Sequence, residues 1–380
     1  MRSSFVLRRA VGLVLGLVVA VAPLSAADPE KVSFETADGF KLAGSYWPSK
    51  EGKKAPVVLL LHNFELKKGG QSHADGWDYL AEELNKKGYA VLSFDFRGHG
   101  NSTTIADSTM FWGSMHNRPG LHLKGVKAKD TTLSHTNFQP GYYPYLVNDI
   151  IAARIYLDKK HDAGELNSQN LIVVGAGEGA TLGMMWMASE MKRVRVTGLD
   201  GLGRPARWDP NPEGKDIVSG IWLSISPTLA GKTAPMTTWL KEVGGKTYKT
   251  PLLFVYGDKD DKASARALGY MQWLLPEYKR DKPRPKDYKD WEYTAEYPIK
   301  GADATASGSK LIDKDRDTVK GLISGYFEPL MEKHKITQWE QREVTTNTYA
   351  WLVGLRAVLA KAPNDKVFKV LSPSVVGMSP

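Results

Sequence analysis

The 380-residue chain contains no cysteine. That excludes a disulfide framework, thiol chemistry, cysteine-ligated metal and a lipid-modified cysteine. A chain of this length buries a core large enough to do without cross-links. No apolar run long enough to cross a bilayer follows residue 27. The longest one, "AVGLVLGLVVAVAPL", lies within Met1 to Ala27, after Arg2, Arg8 and Arg9 and before the small residues "SAA". Basic, apolar and small residues in that order read as a secretory signal peptide; a retained anchor is the alternative, but the run falls short of the about 20 residues of a spanning helix. The expectation is an exported protein, periplasmic or extracellular, with no integral membrane segment once 1–27 is cleaved. Removing 1–27 takes away three arginines and no acids, so the net charge falls from +9 to +6. Much of the remaining excess sits in "YKRDKPRPKDYKD" (278–290), a proline-broken, lysine-rich stretch of mixed sign that matches no recognised binding module. A solvated loop is expected there, and no nucleic-acid partner.

There is no internal repeat. The alternation in "KVSFETADGFKLAGSYWP" (31–48) around Asp38-Gly39 predicts an antiparallel hairpin. Continuous apolar runs at "APVVLLLHNF" (55–64), "YAVLSFDF" (89–96), "NLIVV" (170–174), "IVSGIWLSIS" (217–226) and "PLLFVYG" (251–257) predict strands covered on both faces. A last strand is expected at "YTAEYPI" (293–299). Helices are predicted at "GWDYLAEELNKKG" (76–88), 145–161, 180–191 and 263–275, with two amphipathic helices near 317–334 and 344–361. Strands and helices alternating in this way specify an α/β fold with a mostly parallel sheet. Residues 28–380 read as one domain interrupted by irregular insertions at about 103–141, 193–215 and 277–292.

The stretch "NLIVVGAGEGATLG" (170–183) admits two readings. Gly175, Gly177 and Ala180 have the G-x-G-x-x-A spacing of a dinucleotide site, followed by a helix and by "VRVTGLD", a strand ending in Asp200. The same glycines also fit a nucleophile elbow, G-x-S-x-G, whose serine is replaced by Gly177. Three further landmarks favour the second reading: "LLLHNF" (59–64), "FDFRGHGNS" (94–102) and "FVYGDKDD" (254–261). In this order around "VVGAGEG", over roughly 31 to 335, the chain resembles the α/β-hydrolase family. The resemblance implies a mostly parallel central sheet flanked by helices, an N-terminal antiparallel hairpin and insertions over the active-site face.

It also implies site positions. Gly175 and Gly179 flank the elbow, and Gly177 stands where the nucleophile belongs; glycine has no group to attack with. Amides at Asn63, Phe64 and Glu178 correspond to the oxyanion donors. Asp260, with Asp258 and Asp261 as neighbours, takes the place of the acid. No histidine lies between Asp260 and His334, so Ser307, or Thr305, falls in the histidine slot, and His334 comes too late. His116, His122 and His135 in the 103–141 insertion are candidates for a substitute base, or for metal ligands with Asp107 or Asp130, although their spacing fits no zinc pattern. Ser102 reads as a turn and capping residue. Trp112 and His135 mark a candidate pocket, with Phe111, Tyr142, Tyr143, Tyr145 and "GMMWM" (183–187) as roof and inner wall. The expectation is a hydrolase-like fold with a degenerate triad, binding a small or peptide-like ligand or a partner protein, without metal or cofactor. An active esterase or peptidase using unconventional groups, and a structural module of the cell envelope, are the rivals.

Overall fold

The computed structural model describes residues 28–199, 205–284, 286–313, 316–334 and 336–342. The segment 1–27, Asp200 and the expected helix near 344–361 lie outside the described residues. Eight strands form the main sheet: β1 (Glu30–Glu35), β2 (Phe40–Trp47), β3 (Val57–Leu61), β4 (Ala90–Phe94), β5 (Leu171–Ala176), β6 (Ile217–Leu223), β7 (Leu252–Gly257) and β8 (Ala295–Ile299). Their order is β1-β2-β4-β3-β5-β6-β7-β8, and a two-residue strand, Thr104–Ile105, pairs with β2 at the side. The pairs β1–β2 and β2–β4 are antiparallel; every pairing from β4 to β8 is parallel.

Alternation along β3 explains the two cores. Val57, Leu59 and Leu61 point into one apolar cluster, while Val58 and Leu60 point into the other. The first is covered by α2 (Val147–Asp162), α3 (Gly177–Glu190), α4 (Met236–Gly244) and α5 (Asp261–Leu274). The second is covered by α1 (Trp77–Lys86), through Trp77, Leu80 and Leu84, and by the helical stretch 316–334, through Val319, Leu322, Phe327 and Leu330. All five side chains of β3 are fully buried, each contributing roughly 1.5–3 kcal/mol by leaving water.

One insertion and one helix differ from the reading of the sequence. Residues 193–215, expected to be irregular, contain an antiparallel ribbon of Val194–Leu199 with Pro205–Pro212, apart from the main sheet. The prolines that suggested a break are tolerated because each strand of a two-stranded ribbon has an unpaired side. Helix α4, which follows Pro235, was not expected at all. The 103–141 stretch holds one short helix, Ser108–Gly113, among 3-10 turns and isolated bridges.

At the amino ends of the central strands, residues 337–342 lie across the lower edge of the sheet. The Trp339 ring stacks on His161 at 5.0 Å, and Thr337 exchanges hydrogen bonds with Asn167 and Asn170. Arg342 inserts among Asp158, Asp216 and Glu213. Glu30, opposite Tyr46, starts at this same edge.

Candidate active-site cleft

Gly177 closes β5 and opens α3 with φ +52, in the left-handed region that an L residue enters only under strain. This is the sharp strand-to-helix bend of an elbow. Its neighbours are glycine because backbone passes too close for anything larger. A β-carbon on Gly179 would overlap the His62 carbonyl, and one on Gly175 would meet Ala180 at 2.7 Å. A β-carbon on Gly177 would overlap the Asn63 carboxamide. That carboxamide oxygen accepts a hydrogen bond from the Glu178 amide at 3.2 Å.

The turn that carries Asn63 is fixed by His62. Its Nε2 accepts from the Phe96 amide at 3.1 Å, which leaves Nδ1 to donate to the Asn63 carbonyl at 2.7 Å. Burial lowers the His62 pKa, so the ring is neutral in this role. Glu178 turns its carboxylate away from the bend, accepting from the Ala230 amide at 2.8 Å; burial pushes its pKa up against the pull of the Ala230 and Gly231 amides.

Two lobes of one cleft meet above Gly177 and share Asn63, Glu65 and Ser307. The first, about 620 Å³, is walled by Lys68, Gln71, Asp75, His135, Thr305, Ser309 and Lys310 among others. The second, about 420 Å³, is walled by Phe64, Leu66, Glu178, Ser224, Ser226, Pro227 and Arg266.

Ser307 is exposed and faces both lobes. Asp260 is buried and caps α5, its Oδ1 accepting from the Ala263 amide at 3.0 Å. No histidine among the described residues is bonded to it. Asp258 accepts from the Gly301 amide, and Asp261 is exposed. The structure therefore brings Gly177, Asn63, Phe64, Glu178 and Ser307 to the cleft, and leaves Asp260 engaged in holding a helix.

The insertion residues separate. His135 lines the first lobe and stacks on buried His99 at 5.1 Å. Trp112, expected at the pocket, lines neither lobe: its indole N–H donates to the Asp130 carbonyl at 3.1 Å, and its ring packs edge-on against Phe111. His116 and His122 are buried; His116 bonds Asp38 at 3.1 Å and stacks on Tyr145. Ser102 accepts from the Ala43 amide and donates to the Asp95 carbonyl, a purely local fastening. Tyr142, Tyr143, Tyr145 and 183–187 are core rather than roof, because the alternative would expose large apolar rings over a polar cleft. Among the described residues no group of three His, Asp or Glu side chains is placed to hold a metal ion, and no helix is long and apolar enough to cross a membrane.

Four site residues escaped the reading of the sequence. Ser309 donates to Asp75 at 2.9 Å in the first lobe, and Asp75 holds φ +54. Ser224 and Arg266 belong to the second lobe. Of these only Arg266 leaves a trace in the sequence, as a charge next to the buried stripe Ala263, Ala267 and Tyr270.

No protein-family model and no curated protein matches the sequence. Solved structures similar to the chain include an esterase of Pyrococcus furiosus (15% identity, TM-score 0.47, covering 81% of this chain and 91% of that one). An α-β serine hydrolase homologue of Coxiella burnetii follows at 12% identity and TM-score 0.45, covering 78% and 96%. The esterase domain of a Rhodothermus marinus protein gives 15% and 0.41, covering 79% and 99%. At such identities and TM-scores nothing about activity follows, and the fold is decided by the chain itself. Its strand order, the left-handed bend between β5 and α3, and the capped turn after β7 are those of the α/β-hydrolase fold.

Proposed function

We propose that this protein is an exported, catalytically silent member of the hydrolase fold, whose former active-site cleft binds a small or peptide-like ligand. The supporting observation is the position of Asn63. Its carboxamide oxygen accepts from the Glu178 amide and fills the space in which a nucleophile's β-carbon would stand. Ester or amide hydrolysis in this fold needs a nucleophilic side chain at the elbow, a base to activate it or water, and an amide free to receive the developing oxyanion. Position 177 supplies no hydroxyl, the loop after β8 no imidazole, and the Glu178 amide already has an acceptor. A concave, polar-walled cleft remains, which suits recognition.

Hydrolysis of p-nitrophenyl acetate and butyrate by the purified protein tests this, with the expected rate equal to that of a folded, unrelated control protein. Gly177→Ser alone is expected to stay inactive, because the new β-carbon meets Asn63. The combination Asn63→Gly, Gly177→Ser and Ser307→His removes that obstacle and is expected to show trace turnover. For export, the expected result is an envelope or medium fraction whose amino terminus begins near Asp28; full-length cytoplasmic protein would sink that part.

One observation favours an active enzyme as a second reading. Ser309 and Asp75 are hydrogen-bonded within the first lobe, Asp75 sits in a strained conformation, and His135 lines the same lobe. Wild-type turnover that Ser309→Ala or His135→Ala abolishes would establish this reading and end the first. Asp260→Ala is a poor probe, since it uncaps α5.

A further inference from the structure

The second lobe holds two polar groups that the fold leaves unmet. Ser224 follows β6 with φ +46, a strained value for serine, and is only 7% exposed. Its hydroxyl is buried and has no hydrogen-bond partner among the described residues, and Ser224 lines the lobe. Arg266, on α5, lines the same lobe with a buried Nε that is equally unpartnered, and no carboxylate of the described residues forms an ion pair with it. Buried donors without acceptors are rare and costly, and backbone strain concentrates where a site is built. The two acids of this lobe are engaged elsewhere: Glu178 with the Ala230 amide, and Glu65 with Lys68 at 3.2 Å.

We propose that Arg266 and Ser224 form an anion subsite for a small organic monocarboxylate, whose apolar body lies against Phe64, Leu66 and Pro227. This rests on the reading of the cleft as a ligand site and names the class of ligand. A planar guanidinium and a hydroxyl match a carboxylate's two oxygens in geometry and charge. One cation beside Glu65 and Glu178 disfavours a dianion such as phosphate. About 420 Å³ accommodates a ligand the size of a substituted benzoate. The assignment also gives Asp260 a purpose, since the residue at the acid's position caps the helix that presents Arg266.

Isothermal titration of the full chain with benzoate, benzamide and inorganic phosphate tests the subsite. Benzoate is expected to bind about tenfold or more tightly than either of the others, with an affinity that falls as salt is added. Arg266→Gln is expected to remove about tenfold or more of the benzoate affinity, Arg266→Lys to retain part of it, and Ser224→Ala to cost about threefold. Near-UV circular dichroism confirms that each variant is folded. Equal binding of benzoate and benzamide, equal or tighter binding of phosphate, benzoate affinity unchanged in folded Arg266→Gln and Arg266→Lys, or no benzoate binding at all would each overturn the proposal. The wider reading falls on a different result, wild-type esterase turnover, so the two failures are distinguishable.

Discussion

Two arginines flank the elbow strand, and the fold treats them oppositely. Arg97, in the turn after β4, is fully buried and fully engaged. Its Nε donates to Asp149 and its Nη1 to Asp38, both at 2.7 Å, while Nη1 also reaches the Tyr142 hydroxyl at 3.2 Å. Asp38 is further held by His116 and Asn117, and the proximity of Arg97 and His116 keeps its carboxyl well below the usual range despite burial. Arg266, on α5 after β7, has neither a carboxylate nor a hydroxyl partner among the described residues. The first is a structural ion cluster that locks the hairpin, the "RGHG" turn and α2 together. The second retains an unpartnered Nε on a residue that lines a cleft. Satisfaction, rather than burial or charge alone, distinguishes architecture from recognition here.

The contrast can be broken most severely at Arg97. Arg97→Met strands two buried carboxylates and is expected to destabilise the protein by about 3–5 kcal/mol in urea unfolding. A loss below about 1 kcal/mol would mean that the cluster is not a structural unit. A change of pH probes the same side. His99, whose Nδ1 donates to the Arg97 carbonyl, is pushed down to about 3 by burial. A base with a depressed folded-state pKa stays neutral while the unfolded chain takes up protons. The contribution of His99 is therefore lost as pH falls from the ordinary imidazole value of 6.5 toward 3; the lowered pKa of His62 adds in the same direction, and Asp149, pushed up to about 6 by burial, opposes it with a smaller shift. Asp38 contributes a further loss below its unfolded value of 3.8. Urea midpoints across that window should fall with acidity, and His99→Phe should flatten the slope; an unchanged slope would contradict a neutral His99. The smallest effect is expected at Arg266. Arg266→Met should leave stability within about 0.5 kcal/mol of wild type, since no ion pair is lost. A destabilisation comparable to Arg97→Met would erase the distinction.

The sequence was most legible where local and tertiary preferences agree. Continuous apolar runs located β3 to β7 within a few residues, because a strand covered on both faces cannot alternate. The dinucleotide reading correctly sensed a strand at Val194–Leu199, but that strand pairs in a separate ribbon with Pro205–Pro212. Helix α4 was overlooked although Met236, Trp239, Leu240 and Val243 have helical spacing behind a proline entry that suits a helix start. At the cleft, the bare position 177 and the missing histidine were visible as letters. The Asn63 carboxamide against Gly177 was not, since a contact across 114 positions is set by two loop conformations. The left-handed backbone of Ser224 and Asp75 was hidden as well, for serine and aspartate carry no mark of a positive φ. Trp112 misled for a related reason, because an aromatic in an irregular insertion reads the same whether it roofs a cavity or fills one.

The strap of residues 337–342 has a practical corollary. Glu30 and Arg342 both sit at the lower edge of the sheet, while the cleft opens above the carboxyl ends of the strands. A biotin handle or sensor-chip linkage placed on the exposed Glu30 starts from the underside, so immobilised protein presents its mouth to the flowing analyte.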